Sequence, residues 1–375
     1  MKVVVAIDSF KGSLSSMEAG TAIKNAIHKV HSHAQVIVKP LADGGEGTTD
    51  SLTLGLGGEK IPVTVTGPLG EPVQAYYGYI EETHTAIMEM ASAAGITLIE
   101  PSKRNPLLTT TRGVGEMILH AIGLGCKNFI IGIGGSATND GGIGMLQALG
   151  WKFLDKEGKS AGEGGQALSQ IYTIDSSNVP SQVLDCNYKV ACDVANPLCG
   201  PNGATYIYGP QKGATDEVLE PLDQSMCHYA EITEQHTYTA YQTAEGAGAA
   251  GGMGFAFLSY LNAQLVPGVE LILDAIDLES EVQDADIVVT GEGRLDHQTA
   301  MGKAPIGVAK LAKKHNAKVI AFAGSVTPDA IICNNTGIDA FFPIVRGITT
   351  LEEAMKPETA IENLKAAAEQ VFRLL

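Results

Sequence analysis

Short apolar runs, each followed at once by a burst of glycine and polar residues, recur along the chain. Val3–Ile7 leads into Asp8-Ser9-Phe10-Lys11-Gly12-Ser13, Phe129–Ile133 into Gly134-Gly135-Ser136, and Ile287–Val289 into Gly291-Glu292-Gly293-Arg294. Continuous β-branched runs of this kind mark strands buried on both faces, as in parallel sheets covered by helices. The 44 glycines therefore read as strand-to-loop punctuation around ligands rather than as linker. No fixed-period repeat or low-complexity tract interrupts the pattern.

Helical spacing fills the intervals. Ser15 and Glu18 have capping-box spacing, and Ala19, Ala22, Ile23, Ala26, Ile27 and Val30 follow as one apolar face. Val36–Val38 is a second strand, leading to Pro40 and a turn at Asp43-Gly44-Gly45-Glu46-Gly47. The far end repeats the style, with a helix after Pro305, strands at Lys318–Ala323 and Phe341–Val345, and a cap at Thr350 with Glu353. Between the ends, residues 61–84 alternate with Pro, Gly and aromatics and predict antiparallel hairpins. Thr111–Ile122 and Thr215–Gln235 read as helices. A length of 375 residues suits two domains. The expected fold class is α/β with two α/β domains. Both chain ends (1–60 plus 285–375) form a doubly wound, Rossmann-like parallel-sheet domain. Residues 61–284 form an inserted second α/β domain with a mixed sheet, and the active site is expected in the cleft between them.

Charge narrows the partners. With 42 acidic against 25 basic side chains the formal net charge is −17, which disfavours nucleic acid and anionic membranes. Local Lys, Arg and backbone N–H groups can still hold a small anion. No apolar run reaches the length of a membrane span. The five-residue run Val3–Ile7 ends at Asp8, too short for a secretion signal. Six cysteines without a C-x-x-C pair suggest reduced thiols and a cytoplasmic location. His28, His31 and His33 cluster where a helix ends, and read as cations at its negative pole rather than as metal ligands.

Six loops carry candidate chemistry. Asp8–Ser13 puts Lys11 at a strand's carboxyl end, where helix N–H groups attract anions. In Asp43–Thr48 three glycines allow close ligand approach, and Asp43 can accept from a hydroxyl or a metal-bound water. Gly132–Gly142 follows a strand and opens a helix, so Gly134, Gly135, Ser136, Thr138, Asn139 and Asp140 can cradle phosphates. The same stretch contains a decoy: Gly132, Gly134 and Ala137 satisfy G-x-G-x-x-A, with Asp155 about 20 residues on. Asp193, after the run ending at Ala191, reads either as a general base or metal ligand or as a turn cap. Its neighbour Cys192 reads as packing. Lys212 in Gly209–Ala214 can reach phosphate, whereas Gly246–Gly252 reads chiefly as close helix packing. Arg294, one of five arginines, sits in a strand-end glycine loop and can clamp a carboxylate or phosphate, although Asp296 two residues on can simply pair with it. Acidic groups, cations and glycine cradles together suit phosphoryl transfer.

Seven strings, DSFKGS, PLADGGEGT, GIGGSATNDGG, ACDVANPL, GPQKGA, GAGAAGG and TGEGRLD, resemble in order the motifs of the bacterial type 1 glycerate kinase family. The match runs from Asp8 to about Lys303. The resemblance implies ATP-dependent phosphorylation of D-glycerate to 2- or 3-phosphoglycerate, with Mg²⁺, in a two-domain cytoplasmic enzyme. A homodimer is the candidate assembly. The catalytic assignments are Asp193 or Asp296 as base, with Lys11 and Arg294. Substrate contacts fall to Asp8, Ser9, Lys11, Asp43, Gly44 and Arg294, nucleotide phosphates to residues 134–142 and Lys212, and Mg²⁺ to Asp43 and Asp8. The alternatives are an NAD-dependent hydroxy-acid dehydrogenase using the Gly132–Ala137 fingerprint, and a non-catalytic binding module.

Overall fold

The computed structural model describes residues 1–42 and 47–375. In chain order its strands are β1 (Lys2–Ile7), β2 (Gln35–Pro40), β3 (Glu59–Thr66), β4 (Pro72–Ile80), β5 (Thr85–Glu89), β6 (Asn128–Gly132), β7 (Lys152–Leu154), β8 (Thr173–Asp175), β9 (Asn187–Ala191), β10 (Gln264–Val266), β11 (Ile287–Leu295), β12 (Lys318–Val326) and β13 (Ala340–Pro343). The chain divides into two compact units, Met1–Gly57 with Val269–Leu375, and Gly58–Gly268.

The first unit is built on a five-stranded sheet in the order β13-β12-β11-β1-β2, with every pairing parallel. Val3 pairs with Val36 on one side and Ile287 on the other, so the strand that opens the chain lies inside the sheet. Val3, Val5 and Ile7 join a core with Ile23, Leu364 and Phe372 from the helices Ser16–Val30 and Pro357–Phe372. Val4 and Ala6, which point to the opposite face, are equally buried. Both faces are therefore covered, as the apolar run required. The capping box forms: Ser15 Oγ accepts from Glu18 N, and Glu18 Oε2 accepts from Ser15 N at 2.9 Å.

Two expectations change. The glycine stretch at Gly291–Arg294 is not a loop but the continuation of β11, paired with β12 as far as Leu295 opposite Val326. Glycine is needed at 291 because a Cβ there would fall 1.8 Å from Phe322 O on the neighbouring strand. Residues 269–284, expected in the inserted segment, pack in the first unit. The helix Gly268–Ala275 buries Val269, Ile272 and Leu273, and the helix Leu278–Val282 lies against the helix Ala304–Lys314. Their apolar residues need the cover of that neighbour.

The second unit holds a mixed sheet in the order β10-β9-β6-β5-β4-β3. β3, β4 and β5 form the two antiparallel hairpins, and β5, β6, β9 and β10 run parallel. A separate antiparallel pair joins β7 to β8. Among the described residues no helix is long and apolar enough to cross a membrane.

Candidate active site

In the first unit the strand order reverses between β1 and β11, the point at which open α/β sheets bind ligands beyond their carboxyl ends. A cavity of about 560 Å³ lies there, with Asp8, Lys11, Glu292, Arg294, Asp296 and Lys303 in its lining. Asp8 extends the ladder by donating its N–H to Gly291 O at 2.9 Å. Its buried carboxylate accepts from Ser9 N at 2.6 Å. Reciprocal bonds between Phe10 and Leu14 (2.8 and 3.0 Å) then close a tight turn with Lys11 exposed inside it.

Beyond the end of β11, one carboxylate serves two neighbours. Asp296 caps the short helix His297–Ala300: its Oδ1 accepts from Gln298 N at 2.9 Å and Thr299 N at 3.3 Å, while Asp296 N donates back to Thr299 Oγ1 at 3.1 Å. Asp296 Oδ2 lies 3.5 Å from Arg294 Nε. Thr299 Oγ1 donates to Glu292 Oε1 at 2.7 Å, and Glu292 Oε2 lies 3.9 Å from Lys303 Nζ. Both ion-pair separations exceed the 2.7–2.9 Å or so of a charge-assisted hydrogen bond. The two acids sit 13–14% exposed at the base of the cavity, whereas Arg294 is 64% and Lys303 37% exposed. The cationic heads thus reach outward from a carboxylate floor, an arrangement suited to receiving an anion. Glu292 as a partner of Thr299 and Lys303 was not foreseen; its place one residue after Gly291 in the same string was the available signal.

Asp8, Ser9, Lys11, Arg294 and Asp296 are thus brought to one cavity. Asp43 and Gly44 lie outside the described residues. The remaining candidates belong to the second unit. Gly134 and Gly135 are exposed beyond β6, but Ser136, Thr138, Asn139 and Asp140 are buried. Asp140 accepts from Thr111 N (2.9 Å), Thr111 Oγ1 (2.8 Å), Gly142 N (3.1 Å) and Gly144 N (3.3 Å). Burial pushes its carboxyl up from the usual range, and these donors pull it back. Lys212, 1% exposed, donates from Nζ to Thr138 O at 2.6 Å. Burial pushes its ammonium down to about 7, with the charge of Asp140 opposing. Lys212 and Asp140 therefore sit in the interior beneath the glycine loop. Asp193, exposed after β9, accepts from Gly268 N at 2.8 Å, a backbone partner far along the chain rather than in the next turn. Burial pushes the Cys192 thiol up, and it donates to Val194 O at 3.4 Å, as a packing residue does.

The dinucleotide fingerprint is also overturned. A Rossmann turn opens its helix at once, but the helix after β6 begins only at Ile143, and Asp155 follows β7 in a separate two-stranded sheet. There Asp155 Oδ1 accepts from Glu157 N and Lys159 N.

A doubly wound sheet with a charged cavity at its switch point is the layout of α/β enzymes that handle small anionic substrates. The sequence model described as the glycerate kinase family matches residues 3–375. The chain is 50% identical to a glycerate kinase of Bacillus subtilis strain 168, over 99% of this chain and 97% of that one. It is 46% identical to a glycerate 2-kinase of Escherichia coli K12, over 100% and 98%. A crystal structure assigned to glycerate kinase 2 of Salmonella typhimurium LT2 matches with a TM-score of 0.91 at 45% identity, covering 100% of this chain and 98% of that one. The chain belongs to the glycerate kinase family and is a small-molecule kinase, which removes the dehydrogenase and binding-module alternatives.

Proposed function

We propose that this kinase transfers the γ-phosphoryl group of ATP to a hydroxyl of D-glycerate in the presence of Mg²⁺, giving 2- or 3-phosphoglycerate and ADP. The observation that carries this reading is the charged end of the first unit's cavity, where Lys11, Arg294 and Lys303 stand over the carboxylates Asp8, Glu292 and Asp296. The two reactants are both anions and need that positive charge to meet. Asp296 accepts the proton of the attacking hydroxyl as its oxygen bonds to the γ-phosphorus and the bond to the bridging oxygen of ADP breaks. Its helix-capping bonds fix the carboxylate while Oδ2 faces Arg294. Asp193 is the second candidate base, and the exposed Gly134–Gly135 turn a candidate phosphate contact.

Mg²⁺ usually binds through one or two carboxylates plus substrate phosphates rather than an all-protein cage. Asp8 at the charged end fits such a shared site, with Asp43 as the other candidate. The ion, when bound, neutralises phosphate charge. Free cysteines support a cytoplasmic setting.

The test is ADP release with D-glycerate, L-glycerate or no acceptor, with and without Mg²⁺, and phosphorus NMR of the product. Turnover confined to D-glycerate with metal is expected. Absence of acceptor-dependent ADP release from folded protein overturns the reading.

A further inference from the structure

The cavity of the first unit is lined by two chemically different sets of residues, and the reaction uses only one. Beside the charged residues its lining includes an apolar wall of Ile344 and Val345, just beyond β13, with Leu351, Ala354 and Met355. Met355 reaches the turn that carries Lys11, where a Cβ at Gly12 would meet its Cε at 3.0 Å. The wall is built by local bonds. Ile344 N donates to Ala323 O at 2.8 Å, which carries the chain alongside β12 for one residue past the strand. Thr350 Oγ1 accepts from Glu353 N at 3.2 Å, starting the short helix Leu351–Ala354, and Met355 N closes it on Leu351 O at 3.0 Å. Leu351 and Met355, four residues apart, therefore share one face. Leu351 is nevertheless 76% exposed and Met355 36%. Large apolar side chains left in solvent around a cavity mark a surface awaiting a ligand.

Size and polarity say which ligand. A volume of about 560 Å³ falls within the roughly 300–1,000 Å³ of sites for molecules far larger than a three-carbon acid. Glycerate carries a carboxylate or a hydroxyl on every carbon and has nothing to lay against leucine and methionine. The phosphoryl donor is the reactant with one flat, weakly polar end and one polyanionic end. We propose that Ile344, Val345, Leu351, Ala354 and Met355 hold the nucleoside of the donor, with its phosphate chain running to Lys11, Arg294 and Lys303. This rests on the kinase reading above and places the base in the first unit. Polarizable thioether sulfur on an aromatic face is a favourable contact, and Met355 stands where such a face would lie.

Two substitutions address the wall without touching the charged end: Ala354→Trp fills it, and Leu351→Asp sets a carboxylate in it. Both positions lie on an exposed four-residue helix, and circular dichroism with melting temperature confirms folding. Calorimetric titration with ADP, inorganic tripolyphosphate and D-glycerate is the readout, beside the KM values of both substrates. The inference expects ADP to bind at least about tenfold more weakly in each variant. Tripolyphosphate affinity and the KM for D-glycerate are expected to stay near wild type. Unchanged ADP affinity in both variants overturns it, as does selective loss of D-glycerate affinity. Wild-type protein that binds ADP in this wall-dependent way, yet releases no ADP with D-glycerate, would leave the nucleoside site standing and remove glycerate as the acceptor.

Discussion

Lys212 donates its ammonium to the carbonyl oxygen of Thr138 across 2.6 Å, deep in the second unit and near the carboxylate of Asp140. A lysine is a costly thing to bury, and here it ties the chain between β6 and the helix at Ile143 to the Gly209–Ala214 turn. Lys212→Met removes the tie and leaves the Thr138 carbonyl unpaired in the interior, which is expected to cost about 1–3 kcal/mol. Urea unfolding of the two proteins measures it, and equal midpoints would show that the contact carries no stability.

The same lysine makes stability pH-dependent, and the direction follows from its depressed proton affinity. Folded, Lys212 titrates at about 7; unfolded, it returns to the 10.5 of a free lysine side chain. Between these limits the unfolded chain holds more protons, so this group's contribution to stability rises as pH climbs from 7 towards 10.5. Below 7 both states are protonated and the slope from this group vanishes. Urea midpoints at pH 7, 8 and 9 are expected to climb more steeply in the wild type than in Lys212→Met. Parallel slopes would place the proton uptake elsewhere.

Gly251 presses on the other side of that carbonyl. Its φ is +70°, and a Cβ there would lie 2.1 Å from Thr138 O. Gly251→Ala is expected to lose more than the roughly 1–2 kcal/mol of a left-handed backbone, because the carbonyl must also move. Combined with Lys212→Met the losses should fall short of additivity, since both act on one oxygen. A double mutant whose loss equals the sum would separate the two.

Capping and proton transfer can be told apart at Asp296 and Asp193. Asparagine caps helices about as well as aspartate, so Asp296→Asn should melt near wild type while its turnover falls by about 10²–10⁴. Asp193→Asn keeps an acceptor for Gly268 N and should turn over nearly normally. The reverse pattern moves the base to Asp193, and near-normal rates in both would eliminate both carboxylates.

Arg294 is two-thirds exposed, and its pairing with Asp296 spans 3.5 Å. Exposed pairs are worth about 0–1 kcal/mol, so Arg294→Ala should scarcely change the melting temperature while raising the KM values for both D-glycerate and ATP. A destabilised variant with unaltered KM would make the arginine structural.

What could be read from the sequence was whatever depended on local pattern. Val3–Ile7 announced a strand covered on both faces, Ser15 with Glu18 announced the helix after it, and the Pro/Gly alternation of residues 61–84 announced hairpins. Asp296 beside Arg294 was visible as a pair for the same reason: two residues along a strand end cannot be far apart. Misreadings arose where a distant neighbour decided the outcome. The glycines at 291 and 293 looked like a loop until β12 offered a partner. The burial of Lys212 and Asp140 escaped notice because a sequence does not reveal that both charges turn inward. The Ile344–Met355 wall escaped notice because its residues face a cavity that exists only once β1, β11 and β12 have been assembled.

The placement of β1 within its sheet has a consequence for the order in which the protein is made. One flank of that strand can pair with β2 almost as soon as both are synthesised, but the other waits for Ile287. Gly58–Gly268, which holds a contiguous unit, leaves the ribosome entirely within that interval. That inserted unit can therefore close first, while a buried-type apolar strand stands with one open edge. During those seconds of synthesis the first forty residues are the part of the nascent chain most exposed to wrong pairing, and hence where a chaperone would be needed.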